Sequence, residues 1–270
     1  TEPRATVWLD GLRRGVTDDS GQLTVNNVAA GRHTLRVRAA GFTERALPLL
    51  PTQRGTIEVK LTRTADEAEL AFQQAEDARE GVVAPGAERP DPAELYRRAL
   101  ALRPRFPAAH VGLARVLLGR DQHDEALEQI REARRDRPVY PEASAVEGRI
   151  LRATADYEAA LVAYRRAVRE GRGTQPEAHA GMGIVYEEQG KYDEAVAAFE
   201  KAIAQLQDTE PALYQLLGAA YEKLERWRDA VNAYEHYLRL APDGRLAPAI
   251  RSIIDQLRQQ AAEQEAPPDL

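Results

Sequence analysis

Two independent series of small residues keep step along the second half of the chain. Ala114, Gly148, Gly183 and Gly218 form one, Ala126, Ala160, Ala195 and Ala230 the other, and both advance by 34, 35 and 35 residues. Large side chains follow at matching offsets: Leu117, Leu151, Tyr186 and Tyr221 after the first series, Ile130, Tyr164, Phe199 and Tyr234 after the second. A fixed period of this length marks stacked supersecondary units, each too small to bury its own apolar face. The pattern predicts two helices per unit. The small residue of the first helix lets it approach its partner closely, and the alanine of the second faces it. The large residues fill the space between neighbouring hairpins, so the array forms one extended core.

The chain changes character near Thr62. Before it, apolar residues alternate with a period of two: Ala5, Val7 and Leu9; Leu35, Val37 and Ala39; Ile57, Val59 and Leu61. Turn signals at Asp10-Gly11, Gly15, Ser20-Gly21, Gly31, Gly41 and Gly55 separate these runs. Short alternating runs between turns predict antiparallel strands with one buried face. A module of this size has a small core and is expected to lean on the region after it. After Thr62 helix formers dominate. Thr64 with Glu67 reads as a capping box, and Asp91-Pro92 with Glu94 places a cap, a first-turn proline and an N3 carboxylate in order. The Gly- and Pro-rich stretch 81–90 between these two helices is predicted to be a loop.

Charge is split between the two regions. Residues 1–61 hold nine Lys+Arg against six Asp+Glu, and the remainder holds 28 against 37. An acidic helical region lacks the basic stripe that a nucleic-acid partner requires. Cysteine is absent, which excludes disulfides, thiolate metal sites and cysteine nucleophiles. No apolar run is long enough to span a bilayer.

The repeat resembles the tetratricopeptide family over about residues 64–264. Tyr214-x-x-Leu217-Gly218-x-x-Tyr221, then Ala230-x-x-x-Tyr234, then Pro242 follow that family's pattern almost position for position. His179, Met182, Gly183 and Tyr186 open the preceding copy, Ser144, Glu147, Gly148 and Leu151 the one before, and His110, Leu113, Ala114 and Leu117 the earliest clear one. Tyr96, Ala99 and Pro104 fit the second helix of a degenerate first repeat, and Ile250, Ile253, Ile254 and Leu257 the stripe of a terminal capping helix. The N-terminal region resembles the PEGA and carboxypeptidase-regulatory-like β-sandwich families. That resemblance rests on Val7-x-Leu9-Asp10-Gly11, Thr17-Asp18-x-x-Gly21-x-Leu23, Gly31-Arg32-His33-Thr34-Leu35-x-Val37 and Ala40-Gly41-Phe42.

The resemblances imply a small antiparallel β-sandwich over residues 1–61, followed by an α-helical solenoid. Its parts are a degenerate repeat at 62–106 with an expanded loop at 81–90, four hairpins at 107–242, a capping helix at 243–264 and a tail at 265–270. They also imply a concave groove lined mainly by first helices. Carried over position by position, the groove receives Val111, Arg115 and Leu118, then Arg149 and Arg152, then Ile184, Glu187 and Glu188, and finally Gln215 and Glu222. Arginines fall toward its N-terminal half and glutamates toward its C-terminal half. A partner with an acidic patch near Arg115, Arg149 and Arg152 is therefore expected. Trp8 lies on the strand face opposite Val7 and Leu9. It either packs against the first helices or a neighbouring loop, or anchors another subunit.

Other chemistries lack the residue patterns they need. His33, His123 and His236 stand singly, His110 and His179 occupy the tryptophan position of the repeat, and no two histidines sit one helical turn apart. Asp10, Asp18 and Asp19 belong to turns, and Glu187-Glu188 to a solvated helix face. No phosphate loop, nucleophile elbow or dinucleotide fingerprint occurs. The expectation is a protein with no catalytic residues, metal or cofactor, whose partners are other proteins or subunits of a larger assembly. Modules like the N-terminal one imply an exported or envelope-associated bacterial assembly, hence a periplasmic setting. An intracellular adaptor in the cytoplasm and the regulatory part of a larger enzyme are the alternatives. The chain begins at Thr1 without Met, which suggests a processed form or a fragment whose leader or anchor lies elsewhere.

Overall fold

A computed structural model describes residues 1–26, 28, 33–53, 55–81, 90–206 and 210–265. It holds two compact units, Thr1–Pro138 and Val139–Leu270. Its fold class is a small antiparallel sheet followed by an α-helical solenoid of tetratricopeptide-type hairpins.

The first unit opens with strands β1 (Thr6–Leu9), β2 (Leu12–Val16), β3 (His33–Arg38) and β4 (Arg45–Leu49), ordered β2-β1-β3-β4 in one antiparallel sheet. Asp10 and Gly11 join β1 to β2 with φ of 53° and 81°, the paired left-handed geometry that matches strand twist in a two-residue hairpin. The Asp10 carboxylate also accepts from the Thr34 amide at 2.8 Å and meets His33 Nδ1 at 2.6 Å, tying the turn to β3. Pro48 lacks a ladder donor and sits where that is tolerated, on the edge strand β4.

The described residues form one sheet rather than a sandwich. The run Ile57, Val59 and Leu61, expected as a strand, keeps its alternation, and its side chains join Ala5, Val7, Val37 and Ala39 in the core. Its backbone enters no named strand. It is tied to the connection between β3 and β4 by contacts such as the Thr43 amide on the Thr62 carbonyl at 2.8 Å and the Phe42–Arg63 bridge. Period-two burial was therefore readable from sequence, but ladder pairing was not. Gly31 and Arg32 lie outside the described residues.

Four helices complete this unit: α1 (Glu67–Glu80), α2 (Pro92–Leu102), α3 (Pro107–Leu118) and α4 (His123–Asp136). The cap of α1 is Asp66, not Thr64. Its carboxylate accepts from the amides of Ala68 and Glu69, while Thr64 Oγ1 accepts from the Asp66 amide. Asp66 wins because a carboxylate at the cap satisfies orphan donors and also favours the positive end of the helix dipole. Asp91 caps α2 ahead of Pro92, as its sequence suggested. Residues 82–89 of the expected loop lie outside the described residues.

The second unit consists of α5 (Pro141–Ala153), α6 (Tyr157–Glu170), α7 (Pro176–Glu188), α8 (Tyr192–Leu206), α9 (Pro211–Lys223), α10 (Trp227–Leu240) and α11 (Ala247–Glu265). Each odd-numbered helix from α3 to α9 starts on a proline, whose missing N–H is one of the unsatisfied donors there anyway. α11 buries Ile250, Ile254 and Leu257 against the hairpin of α9 and α10. Residues 266–270 of the expected tail lie outside the described residues.

Candidate partner-binding faces

The glycines fix how each first helix meets its partner. A Cβ added at Gly148 would lie 2.6 Å from the Tyr164 ring, at Gly183 2.5 Å from Phe199, and at Gly218 2.6 Å from Tyr234. Carbon atoms in contact sit about 3.5–4.0 Å apart, so any larger residue must push the ring away. A second set appears two positions earlier. A Cβ at Gly181 would lie 2.3 Å from Tyr164 Cζ, and one at Gly112 2.4 Å from Tyr96. Tyr164 is thus gripped between Gly148 on α5 and Gly181 on α7. The repeat reading identified the first set and missed the second, which recurs in only two copies. The turns inside the hairpins also share a position: Asp121, Ala155, Gly190 and Glu225 all have φ between 56° and 73°.

The first-helix face of the second unit carries most of the expected groove residues. Arg149 and Glu188 are exposed; Arg152, Ile184, Glu187, Gln215 and Glu222 are half-buried. Arg149 pairs with Glu177 at 3.2 Å and Arg152 with Glu188 at 2.9 Å, so both arginines of α5 are matched by carboxylates of α7. This revises the expected electrical division of the face: the arginines are quenched by the next first helix rather than left for an acidic partner. Sequence could not show it, because Glu177 looked like an ordinary first-turn acid. Burial pushes the Tyr164 phenol up to about 12, with Arg152, Glu177 and Arg149 near its hydroxyl. Tyr234 differs. Its hydroxyl donates to Glu222, and burial, Glu222 and Glu187 all drive its pKa upward. Glu187 itself is held above the usual carboxylate range, first by burial and then by Glu188, with Lys223 offsetting part of the effect.

In the first unit Arg115 and Leu118 are half-buried, and Val111 is 4% exposed. Val111 therefore belongs to the interior and presents no free surface, a correction to its carried-over role. The α3 position it occupies has neighbours on every side, and an apolar side chain there gains more from burial than from display.

Trp8 is linked to α1 through an arginine. Arg36 and Arg38 lie over its ring at 4.3 and 5.1 Å, and Arg38 continues to the Phe72 ring of α1 at 5.5 Å and to Glu76 at 3.4 Å. Glu76 is half-buried and accepts also from Arg79 and the Tyr96 hydroxyl. Burial would raise its pKa, but Arg79, Arg38 and Tyr96 outweigh that and hold it below the ordinary value. Beside it Gln73, also buried, accepts from the Gly41 amide at 2.9 Å and donates to the Phe42 carbonyl at 2.8 Å. The sheet and α1 are thus joined by a satisfied polar network, which is rigid because every member has a partner. Neither Gln73 nor Glu76 carried a signal in sequence, since both look like ordinary helix-surface residues.

Several of the remaining candidate residues have structural partners. Asp18 accepts from the Ser20 and Gln22 amides at 2.9 Å, a turn that holds its own carboxylate. His110 is fixed between Gln129 at 2.7 Å and the Pro104 carbonyl at 3.1 Å, and His236 stacks on Tyr214. Burial, with Lys201 nearby, lowers the pKa of His179. Among the described residues no cluster of His, Asp and Glu could hold a metal ion, and no helix is long and apolar enough to cross a membrane.

Helical hairpins in fixed register, with variable side chains along the first helices, define a helical repeat protein. Family models of the tetratricopeptide repeat match residues 174–243 and 91–150, and those two stretches carry tetratricopeptide repeats. A solved thermophilic tetratricopeptide protein of Thermus thermophilus, TTC0263, is 24% identical, with a TM-score of 0.54 over 72% of this chain and 97% of its own. Pseudomonas aeruginosa pilF is 18% identical, with a TM-score of 0.56 over 74% of this chain and 92% of its own. No curated protein matches the chain. Both likenesses are of fold. Proteins built from such repeats are generally protein-interaction scaffolds and typically non-catalytic. The resemblance of the N-terminal sheet to PEGA and carboxypeptidase-regulatory-like modules rests on its motifs alone.

Proposed function

We propose that this chain is a non-enzymatic scaffold or accessory subunit of a bacterial exported or envelope-associated assembly, gripping protein partners along its first helices. The observation that carries the reading is the division of labour on α5, α7 and α9. One side of each is locked by glycine–ring contacts, while Arg149, Arg152, Ile184, Glu187, Glu188, Gln215 and Glu222 remain at least partly exposed. Core residues keep the register, and side chains outside it are free to encode a partner. The envelope setting draws support from the motifs of the N-terminal module.

The test is purification of the tagged full-length gene product from native membranes after cross-linking, beside a variant with Arg149→Glu and Arg152→Glu. One partner set should copurify with the native protein and be depleted from the variant, and cell fractionation should place the tag outside the cytoplasm. A partner set unchanged by the double reversal would move the interface off this face. A purely cytoplasmic tag would refute the envelope assignment.

A further inference from the structure

The first hairpin shows what its own first-helix face accepts. Arg79 of α1 donates to the Tyr96 hydroxyl at 3.3 Å, and in the last hairpin Glu222 of α9 meets the Tyr234 hydroxyl. Arg79 and Glu222 therefore occupy equivalent places, as does Arg152, whose charge lies beside the Tyr164 hydroxyl. Counting back three and seven residues from Arg79 gives Glu76 and Phe72, the counterparts of Arg149 and Ala145 on α5 and of Ile184 and Ala180 on α7. The N-terminal sheet places Arg38 on this face of α1, its guanidinium 3.4 Å from Glu76 and over the Phe72 ring. The occupant that the chain itself supplies is thus an arginine set against a carboxylate and an apolar side chain.

In the second unit the same face has an acid to spare. Arg149 and Arg152 are taken by Glu177 and Glu188, and Glu222 by the Tyr234 hydroxyl. The Glu187 side chain is half-buried and makes no hydrogen bond or ion pair among the described residues. Lys223 is close enough to be felt but does not pair with it. Ile184 lies one turn back on the same face of α7, its side chain part-exposed at the edge of the core. A partly desolvated carboxylate without a counter-ion gains most from a charge-assisted hydrogen bond, the strongest kind available to a neutralising partner.

We propose that the first-helix face around Ile184 and Glu187 docks a partner protein segment presenting an arginine or lysine to Glu187 and an apolar side chain to Ile184. In cis the sheet likewise sets a base, Arg38, against a carboxylate and an apolar side chain of a first helix, although Glu76 there is the counterpart of Ile184 and lies one turn before the place of Glu187. The inference rests on the reading of this face as the partner surface, and it sets a basic residue beside Glu187, whereas the sequence alone suggested an acidic patch near Arg115, Arg149 and Arg152.

The probe is a phage-displayed library of random dodecapeptides selected on the full chain. Binding of the enriched peptides is then measured on the native protein, on Glu187→Gln and on Arg149→Glu with Arg152→Glu. Lysine or arginine should be enriched at a fixed spacing from an apolar residue. Glu187→Gln should weaken binding by about tenfold at low salt and by much less at high salt, as expected for a screened charge pair. Peptides that bind this face but carry acidic or no charge, and are indifferent to Glu187→Gln, would overturn the inference while leaving the partner surface intact. Peptides indifferent to every substitution on the face, or no enrichment at all, would overturn both.

Discussion

The grip on Tyr164 makes a sharp prediction, because two physical effects of one methyl group oppose each other. Replacing glycine by alanine inside a helix ordinarily stabilises it by about 1 kcal/mol. At Gly181 the added Cβ would sit 2.3 Å from Tyr164 Cζ, more than 1 Å inside a normal contact of about 3.5 Å. The ring has little room to swing away, because it is fully buried and also packs closely against Gly148 of α5. Overpacking of this kind costs about 1–3 kcal/mol, so Gly181→Ala should destabilise despite its better helix propensity. Tyr164→Leu should itself cost about 2–4 kcal/mol by leaving a cavity. With the ring gone, adding Gly181→Ala should become neutral or stabilising, a coupling of about 1–3 kcal/mol between the two sites. Urea unfolding followed by far-ultraviolet circular dichroism measures all four proteins. If Gly181→Ala stabilises the native background as much as the Tyr164→Leu background, the ring does not fill the space assigned to it.

The hairpin turns and the sheet–helix junction give two more tests. Gly190 has φ of 73° and open space around a prospective Cβ, so Gly190→Ala should cost about 1 kcal/mol from backbone strain alone; Ala155→Gly, at φ of 59° in the equivalent turn, should be neutral or slightly stabilising in the same urea assay. Glu76 has a folded pKa below the usual glutamate value of 4.5, so its contribution is present above that value and fades as pH falls through the lower folded value. The native protein should therefore lose stability of its first unit in acid more steeply than Glu76→Gln, which starts weaker; parallel slopes in urea titrations at neutral and acid pH would contradict the network.

How far each contact could be read from the sequence depends on how it is encoded. Ala126, Ala160, Ala195 and Ala230 are all fully buried, and their register was legible because every copy solves the same packing problem with the same residue type. Gly181 and Gly112 solve a second problem that the other copies meet differently, so no series announced them. The pairing of Arg152 with Glu188 was out of reach for another reason. It joins residues in different copies, and the repeat fixes only that their helices are neighbours, not which charges meet. The capping of α1 by Asp66 was missed because Thr64 offered a similar local signal and the chain contained both.

The same logic explains why specificity in such an array resides where periodicity is silent. Positions 148, 183 and 218 hold glycine in all three hairpins of the second unit, since a ring lies against each of them. One residue further along, positions 149, 184 and 219 hold arginine, isoleucine and alanine; positions 152, 187 and 222 hold arginine, glutamate and glutamate. These places lie at the edge of the core and accept different residue types, so they vary where the glycines do not. Pairing inside the protein then edits the surface again, as Glu177 and Glu188 do when they quench Arg149 and Arg152. After that cancellation α7 is left with the part-exposed Ile184 and the carboxylate of Glu187, the two side chains to which the proposed partner segment is assigned.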